Sequence, residues 1–362
     1  MTLPVAILRT GAVTSVGKNA PSTFAALRTR LNNFDETLFI DTRGVPVAAG
    51  ALVLGGEEDR LASTGKLVAM LAQAIRECLA DVPGLDLRTL PLLLCVAEVS
   101  RPGRLAQLES RLKEGIEAAL TTAFAPQSAI YAYGQASAMM ALNDSFALIH
   151  SHPLVLIAAV DSYLSPATLR AMLSADRILT STNPQGFIPG EAACALLVGA
   201  PHSIARLAPR FSNVRPDRDG PQSAPASTLF CTGLGVAREL AIRGGAAPNK
   251  ASALSTAIRA ALAGMPQQAS GIGLRISAQS SEDFYAKEFA MATARTDVSA
   301  SALWMLADSL GETGAAAGLL TIAWAYASAH KAYAPSLTML CLAASDEGDR
   351  AAALLGFGQY QA

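Results

Sequence analysis

Charge is scarce in this chain. Asp, Glu, Lys and Arg make up 16% of its 362 residues and nearly cancel, leaving a formal net charge of −1. So weak a field steers nothing over long range, and the Lys and Arg residues are scattered, which argues against nucleic acid or an anionic membrane as a partner. Histidine is scarcer still: His150, His152, His202 and His330 are the whole complement, with no HExxH or comparable cluster. His150 and His152 close a predicted helix, where a cation complements the helix dipole. Paired cysteines are also missing. Cys78, Cys95, Cys194, Cys231 and Cys341 are odd in number, far apart and mostly set in apolar runs, as expected of reduced, buried thiols. No disulfide framework, metal or cofactor is expected.

A membrane span is likewise not expected. The most apolar stretch, GAAAGLLTIAWAYASA (Gly314 to Ala329), is shorter than the ~20 residues a spanning helix needs and reads as a helix buried on all sides. The first residues, MTLPVAILRTGAVTSVG, lack a basic start followed by an apolar core and read as a strand (Val5 to Arg9) and a turn (Gly11 to Gly17), so a cytoplasmic protein is expected.

What remains is half apolar (51%), enough for one large domain or two closely packed halves. Helical spacing of apolar residues predicts helices from Ser22 to Leu31, Lys66 to Leu79, Leu105 to Phe124 and Gln135 to His150. Ser165 and Pro166 cap a further short helix to Leu173. The near-continuous apolar runs Pro91 to Val99 and Pro153 to Ser162 read as strands buried on both faces, the second ending in polar residues at a possible pocket edge. Gly186 to Gly199 is a Gly-Pro turn followed by a strand. Strands alternating with helices predict an α/β layered sheet. Pro-rich residues 206–227 read as a connection between an N-terminal half (1–205) and a C-terminal half (228–362).

Beyond that connection the pattern starts again: helix Ala251 to Leu262, strand Gly271 to Ser277, helix Asp283 to Thr293, the long apolar helix, and strand Leu337 to Ser345. The CTGLGVARE segment at Cys231 reads as a turn into a helix, because a lone GxG without its βαβ context is a weak nucleotide signal. Each element lies roughly 180 residues after a counterpart, which predicts a duplicated βα unit. Helix Lys66 then matches helix Ala251, strand Pro91 matches strand Gly271, and Gly134-Gln135 matches Gly311-Glu312.

The chain is organised around SAIYAYGQASAMMAL (Ser128 to Leu142), where a β-like run meets Gly134 and turns into a helix of small residues. A helix start offers free N–H groups and partial positive charge, a suitable seat for a catalytic group. The residue seated there is Gln135, an amide that is no nucleophile. The duplication would bring Gln135 and Glu312 to related helix starts facing one cleft; alternatively, both glycines only let buried helices approach closely.

Taken in order, TGAVTSVG, GQASAMMAL, AAVDSYLSP, GFIPGEAACALLV and GETGAAAG resemble segments of the β-ketoacyl synthases, within the thiolase superfamily. The resemblance implies a thiolase-like α/β fold, two βαβαβ halves in a five-layered αβαβα core, and dimerisation through the strand Ser128 to Tyr133. It implies a site in which the catalytic cysteine position holds Gln135, one histidine position holds Glu312, and the other lies near Gln279. Gly134, Ser137, Gly311, Thr313, Phe187 and Ser345 are the further cleft-lining candidates. Ser137 lies in no GxSxG elbow and reads as a helix-packing serine. SDEGD (Ser345 to Asp349) is a better match to the family's C-terminal glycine loop than Gly356-Phe357-Gly358.

Without the cysteine no acyl-thioester with the protein can form, and a carboxylate at Glu312 would repel a malonyl carboxylate. The resemblance thus implies a degenerate, catalytically inactive ketosynthase-like protein of bacterial type, a binding, scaffolding or adaptor subunit. It would act as a homodimer or as a heterodimer with a ketosynthase-like or other cluster-encoded protein. Gln at the cysteine position also resembles chain-length factors, which shape a partner's tunnel. An acyl thioester is a possible ligand, and decarboxylation or thioester hydrolysis with Glu312 as base is the enzymatic alternative.

Overall fold

The computed structural model describes residues 3–55, 61–80, 82, 84–203, 227–265 and 271–359. In chain order its elements are β1 (Val5–Thr14), α1 (Ala20–Arg28), β2 (Asp35–Ile40), β3 (Pro46–Ala49), α2 (Thr64–Leu79), β4 (Leu92–Cys95), α3 (Leu108–Leu120), β5 (Ala129–Tyr131), α4 (Ser137–Leu148), β6 (Leu154–Ser162), α5 (Pro166–Ser174) and β7 (Glu191–Gly199). There follow β8 (Thr228–Arg238), α6 (Ser252–Leu262), β9 (Leu274–Ser277), α7 (Asp283–Ala294), β10 (Ala302–Met305), α8 (Ala307–Leu310), α9 (Ala315–His330), β11 (Thr338–Ala344) and β12 (Asp349–Gly358). The proposed connection at 206–227 lies almost wholly outside the described residues.

Ten of these strands form one sheet in the order β10-β9-β11-β12-β8-β1-β7-β6-β4-β5, and β2 and β3 pair antiparallel in a separate two-stranded sheet. That order mirrors itself about the antiparallel β1–β8 pair: β4 lies parallel between β5 and β6, as β9 lies parallel between β10 and β11. The predicted match of strand Pro91 with strand Gly271 is this equivalence.

Strand alternation sorts the side chains into layers. Along β6, Val155, Ile157 and Ala159 enter a central core with α4 and α9, whereas Leu156, Ala158 and Val160 face the opposite way onto α2 and α3. Along β11, Met339, Cys341 and Ala343 face the same central core, and Leu340, Leu342 and Ala344 face α6 and α7. The result is αβαβα, with α4 and α9 in the middle layer. Helix α9 is buried from Ala315 to Ala329, as its all-round apolar sequence predicts. Among the described residues no helix is long and apolar enough to cross a membrane.

Two segments differ from their sequence reading, both because glycine hides a strand. The expected turn into a helix at Cys231 is instead the interior of β8. Gly233 and Gly235 stand where a Cβ would lie 2.0 Å from the carbonyl oxygens of Ala261 and Ala257 on α6, so the missing side chains admit the helix and also erase the alternation. The expected turn from Gly11 belongs to β1, which runs on to Thr14; a Cβ at Gly11 would lie 2.0 Å from the Ala74 carbonyl oxygen on α2. Gly356-Phe357-Gly358 continues β12, and the turn before it is SDEGD, closed by a Ser345 N–H to Asp349 carbonyl bond of 2.8 Å.

Candidate functional site

The centre of the molecule is where the chain leaves β5 and enters α4. Gly134 takes a left-handed φ of 57° and starts a 3-10 turn, Gly134–Ala136, that runs into α4. A side chain at Gly134 is excluded on two counts, since its Cβ would also fall 2.0 Å from Glu98 Oε1. Ser137 ties the turn down: its Oγ donates to the Tyr131 carbonyl (3.0 Å) and accepts from the Tyr133 N–H (2.9 Å). Ser345, at the end of β11, accepts from the Ala136 N–H at 3.0 Å and donates to the Tyr133 carbonyl. Both serines therefore hold backbone.

On the facing side, Gly311 (φ 70°) and Gly314 (φ 53°) bracket Glu312 and Thr313 before α9. The Glu312 N–H donates to the Ile188 carbonyl (2.7 Å), and the Glu312 carbonyl accepts from the Gly190 N–H (2.9 Å). The GFIPGE segment thus splints the loop carrying Glu312. Gly318 lets α9 approach closely, since a Cβ there would lie 2.1 Å from the Gln135 carbonyl oxygen.

These two junctions bring Gln135 and Glu312 into contact across 177 residues of sequence. The Gln135 amide Nε2 donates to both Glu312 oxygens, at 2.9 Å to Oε1 and 2.8 Å to Oε2, and Oε1 also accepts from the Gly314 N–H at 2.8 Å. Gln135 is 6% exposed and Glu312 4%. Burial raises the Glu312 pKa to about 8 against the lowering pull of the Gln135 and Gly314 hydrogen bonds. Near neutral pH Glu312 is therefore mainly a neutral acid, which corrects the sequence argument that treated it as a standing charge. Among the described residues Gln135 Oε1 and Thr313 Oγ1 find no hydrogen-bond partner, though both are buried.

Gln279, the third expected position, is buried just beyond β9, and its hydrogen bonds run to Ser277 rather than to the Gln135–Glu312 pair. Phe187 packs edge-on against Tyr163, with ring centroids 5.1 Å apart. The Arg177 guanidinium lies over the Phe187 ring, 5.4 Å from its centre.

Sequence reasoning missed a buried charge network around this pair. Arg101 bridges Glu98 (2.6 Å) and Asp161 (2.7 Å), and its guanidinium lies 4.3 Å from the Tyr163 ring centre. Asp161 Oδ2 in turn accepts from the Ala315 N–H at 2.8 Å, capping α9. Arg177 binds Glu282 (2.6 Å) and Asp346, which also accepts from the Tyr285 hydroxyl. Burial pushes the Glu98 carboxyl up, opposed by Arg101. For Asp346 the burial cost is outweighed by Arg177 and its hydrogen bonds, which hold the carboxyl below its usual range. The one sequence signal was positional: Asp161 lies at the end of β6, and Glu98 and Asp346 follow β4 and β11, at the C-terminal ends of buried strands where α/β sheets place their sites.

No protein-family model and no curated protein matches the chain by sequence. Solved structures do match. The AntDE:AntF complex, a type II PKS acyl-carrier protein with its ketosynthase bound to the hexaketide, aligns with a TM-score of 0.76 at 13% identity, covering 98% of this chain and 100% of that one. The ishigamide ketosynthase/chain length factor gives 0.74 at 15% identity over 100% of both chains. A β-ketoacyl synthase from Burkholderia phymatum gives 0.71 at 15% identity, covering 99% of this chain and 100% of that one. Together with the mirrored sheet and the central helix layer, these likenesses establish that the chain has the thiolase-like fold of the ketosynthases and chain length factors.

Proposed function

We propose that this chain is a non-condensing subunit of ketosynthase fold that works by binding a ketosynthase-like partner, in the manner of a chain length factor. The observation that carries this reading is the Gln135–Glu312 pair. Condensation on this fold would require a nucleophile at the start of α4, and an amide hydrogen-bonded to a carboxyl group 2.8 Å away offers neither nucleophile nor free base. The surrounding Glu98–Arg101–Asp161 bridge further favours a structural core over an open acyl site.

A binding role needs a surface, and β5 supplies a candidate. Among the described residues it is the last strand of the sheet and pairs only with β4, so one row of its backbone N–H and C=O groups faces away from the sheet. Ile130 (37% exposed) lies on this strand and Tyr133 (42%) just beyond it. Strand addition there by a homologous chain, or by a second copy of this one, would give a sheet continuous across a dimer.

The test has two parts. Intact-protein mass spectrometry after incubation with malonyl- and acyl-thioester donors is expected to show no adduct and no release of carbon dioxide. Sedimentation of the purified protein, alone and mixed with a ketosynthase, is expected to show a dimer that Ile130→Lys disrupts. An acyl adduct on the wild-type chain would sink the proposal.

A second reading, thioester decarboxylation or hydrolysis with Glu312 as base, is favoured by one fact. A carboxyl with a pKa of about 8 is tuned for proton transfer near neutrality. It predicts a turnover that Glu312→Gln abolishes, whereas the binding reading predicts no turnover in either protein.

A further inference from the structure

Sheets that end in solvent commonly guard their last strand with charge, proline or a bulge, because a free edge recruits other chains. Strand β10, at the opposite end of the sheet from β5, has none of these. Its residues are Ala302, Leu303, Trp304 and Met305, its shortness is its one guard, and Leu303 is 43% exposed. Ladder parity shows which backbone groups are free. The Ala302 N–H donates to the Gly273 carbonyl (3.1 Å) and the Leu306 N–H to the Ser277 carbonyl (3.4 Å), so the even-numbered residues bond β9. The N–H and C=O groups of Leu303 and Met305 therefore point away from the sheet, and among the described residues β9 is the only strand paired with β10.

A cavity of about 280 Å3 adjoins this edge, walled by α1, β10, α8 and α9. Neighbouring residues of a strand point to opposite faces, so a cavity that meets Leu303, Trp304 and Met305 in succession runs along the edge of β10 and not only over one face. Charge around it is lopsided. Arg28, Arg30 and Asp308 line the cavity and are all exposed, and Arg30 acts electrostatically on Asp308. Arg28 pairs with no carboxylate among the described residues; its guanidinium lies 4.8 Å from the Tyr333 ring centre. One unmatched, solvent-facing cation thus stands beside two outward backbone donors.

We propose that the β10 edge docks an extended, acidic segment of a partner protein. The segment adds an eleventh strand, its backbone bonding the outward groups of Leu303 and Met305, and one of its carboxylates enters the cavity beside Arg28. Charge complementarity selects this occupant over a second copy of the chain. Pairing β10 with β10 would set the unmatched cations of two copies along one seam, and pairing β10 with β5 is a head-to-tail contact that repeats into rings or filaments. The edges β5 and β10 lie at opposite ends of ten strands, roughly 40 Å apart at about 4.8 Å per strand. The assignment is therefore independent of what binds β5, and both edges can be filled at once.

The experiment uses the full-length protein labelled with nitrogen-15 methionine, whose nine amide signals include Met305, assigned by its loss in Met305→Leu. The probes are the acetylated and amidated peptides Val-Glu-Val-Glu-Val and Val-Lys-Val-Lys-Val. The acidic peptide is expected to shift the Met305 amide saturably and slow its exchange with water, binding at least about tenfold more tightly than the basic one, a difference of about 1.4 kcal/mol. Arg28→Gln is expected to remove that preference. Leu303→Pro deletes an outward donor and no bond to β9, and is expected to abolish binding; the acidic peptide N-methylated at its central valine makes the same test without altering the protein. The proposal is overturned by no saturable shift at millimolar acidic peptide, by equal affinity for the two peptides, or by undiminished binding of the N-methylated one. A dimer in sedimentation that survives Ile130→Lys but not Leu303→Pro would assign the edge to a second copy and overturn it too.

Discussion

Replacing Glu312 by Gln should change how the protein's stability depends on pH, and the structure fixes both sign and size. In the unfolded chain the carboxyl titrates near 4.5; in the folded protein burial raises it to about 8. Between those values the folded state holds a proton that the unfolded state has released, so stability falls as pH rises through this window and stays low above it. The difference of about 3.5 pKa units corresponds to about 5 kcal/mol between the two ends. Gln at 312 carries no charge at any pH. Its carbonyl can go on accepting from the Gly314 N–H, and a turn of the Gln135 amide lets the new amide N–H donate to Gln135 Oε1, which has no partner among the described residues. The variant should therefore match the wild type within about 1 kcal/mol near pH 5, and exceed it by up to about 5 kcal/mol near pH 9. Urea unfolding of both proteins at intervals across that range measures the gap directly. A gap that stays constant with pH would refute the argument that Glu312 is a buried, displaced titrating group.

Other perturbations test the frame around it. Arg101→Leu leaves Glu98 and Asp161 buried without their shared cation, and should cost about 3–5 kcal/mol by urea unfolding, with partial recovery when Glu98→Gln is added. Gly134→Ala combines a left-handed φ with a Cβ 2.0 Å from Glu98 Oε1, whereas Gly44→Ala has a similar φ of 79° and no atom within 4 Å. The first should therefore lose about 2 kcal/mol more than the second, and equal losses would show that Glu98 yields freely. Gln135→Cys should remain free of acyl adduct by mass spectrometry, because its only close side-chain partner is a carboxyl group, which disfavours a thiolate in either of its states.

The layered fold was legible because its signals are local. The apolar runs of β4 and β6 and the all-round apolar α9 carry their burial in their own composition, and the order of the GQASAMMAL, GFIPGEAA and GETGAAAG segments located the junction holding Gln135 and Glu312. Strands β1 and β8 were misread at Gly11, Gly233 and Gly235, where the fold needs the absence of a side chain to seat a helix, and an absence leaves no periodicity. Arg101 and Arg177 were invisible for another reason. Their partners Asp161, Glu282 and Asp346 lie 60 to 169 residues away, and a lone charged residue in sequence looks the same whether it faces solvent or a buried carboxylate.

The charge count of that network explains why Glu312 is the group that keeps a proton. Glu98 and Asp161 share Arg101; Glu282 and Asp346 share Arg177, and Glu282 gains Arg243 at 2.7 Å. Each of these carboxylates has a guanidinium within hydrogen-bonding distance. Glu312 has only an amide and a backbone N–H, and the Asp346 charge pushes it further up. An ion left without a counter-ion in the interior costs more than taking up a proton, so Glu312, with no guanidinium bonded to it, holds its proton and stays neutral. On the non-condensing reading, a cysteine at 135 alone supplies no condensation chemistry, because the group that faces it at 312 stays a carboxyl.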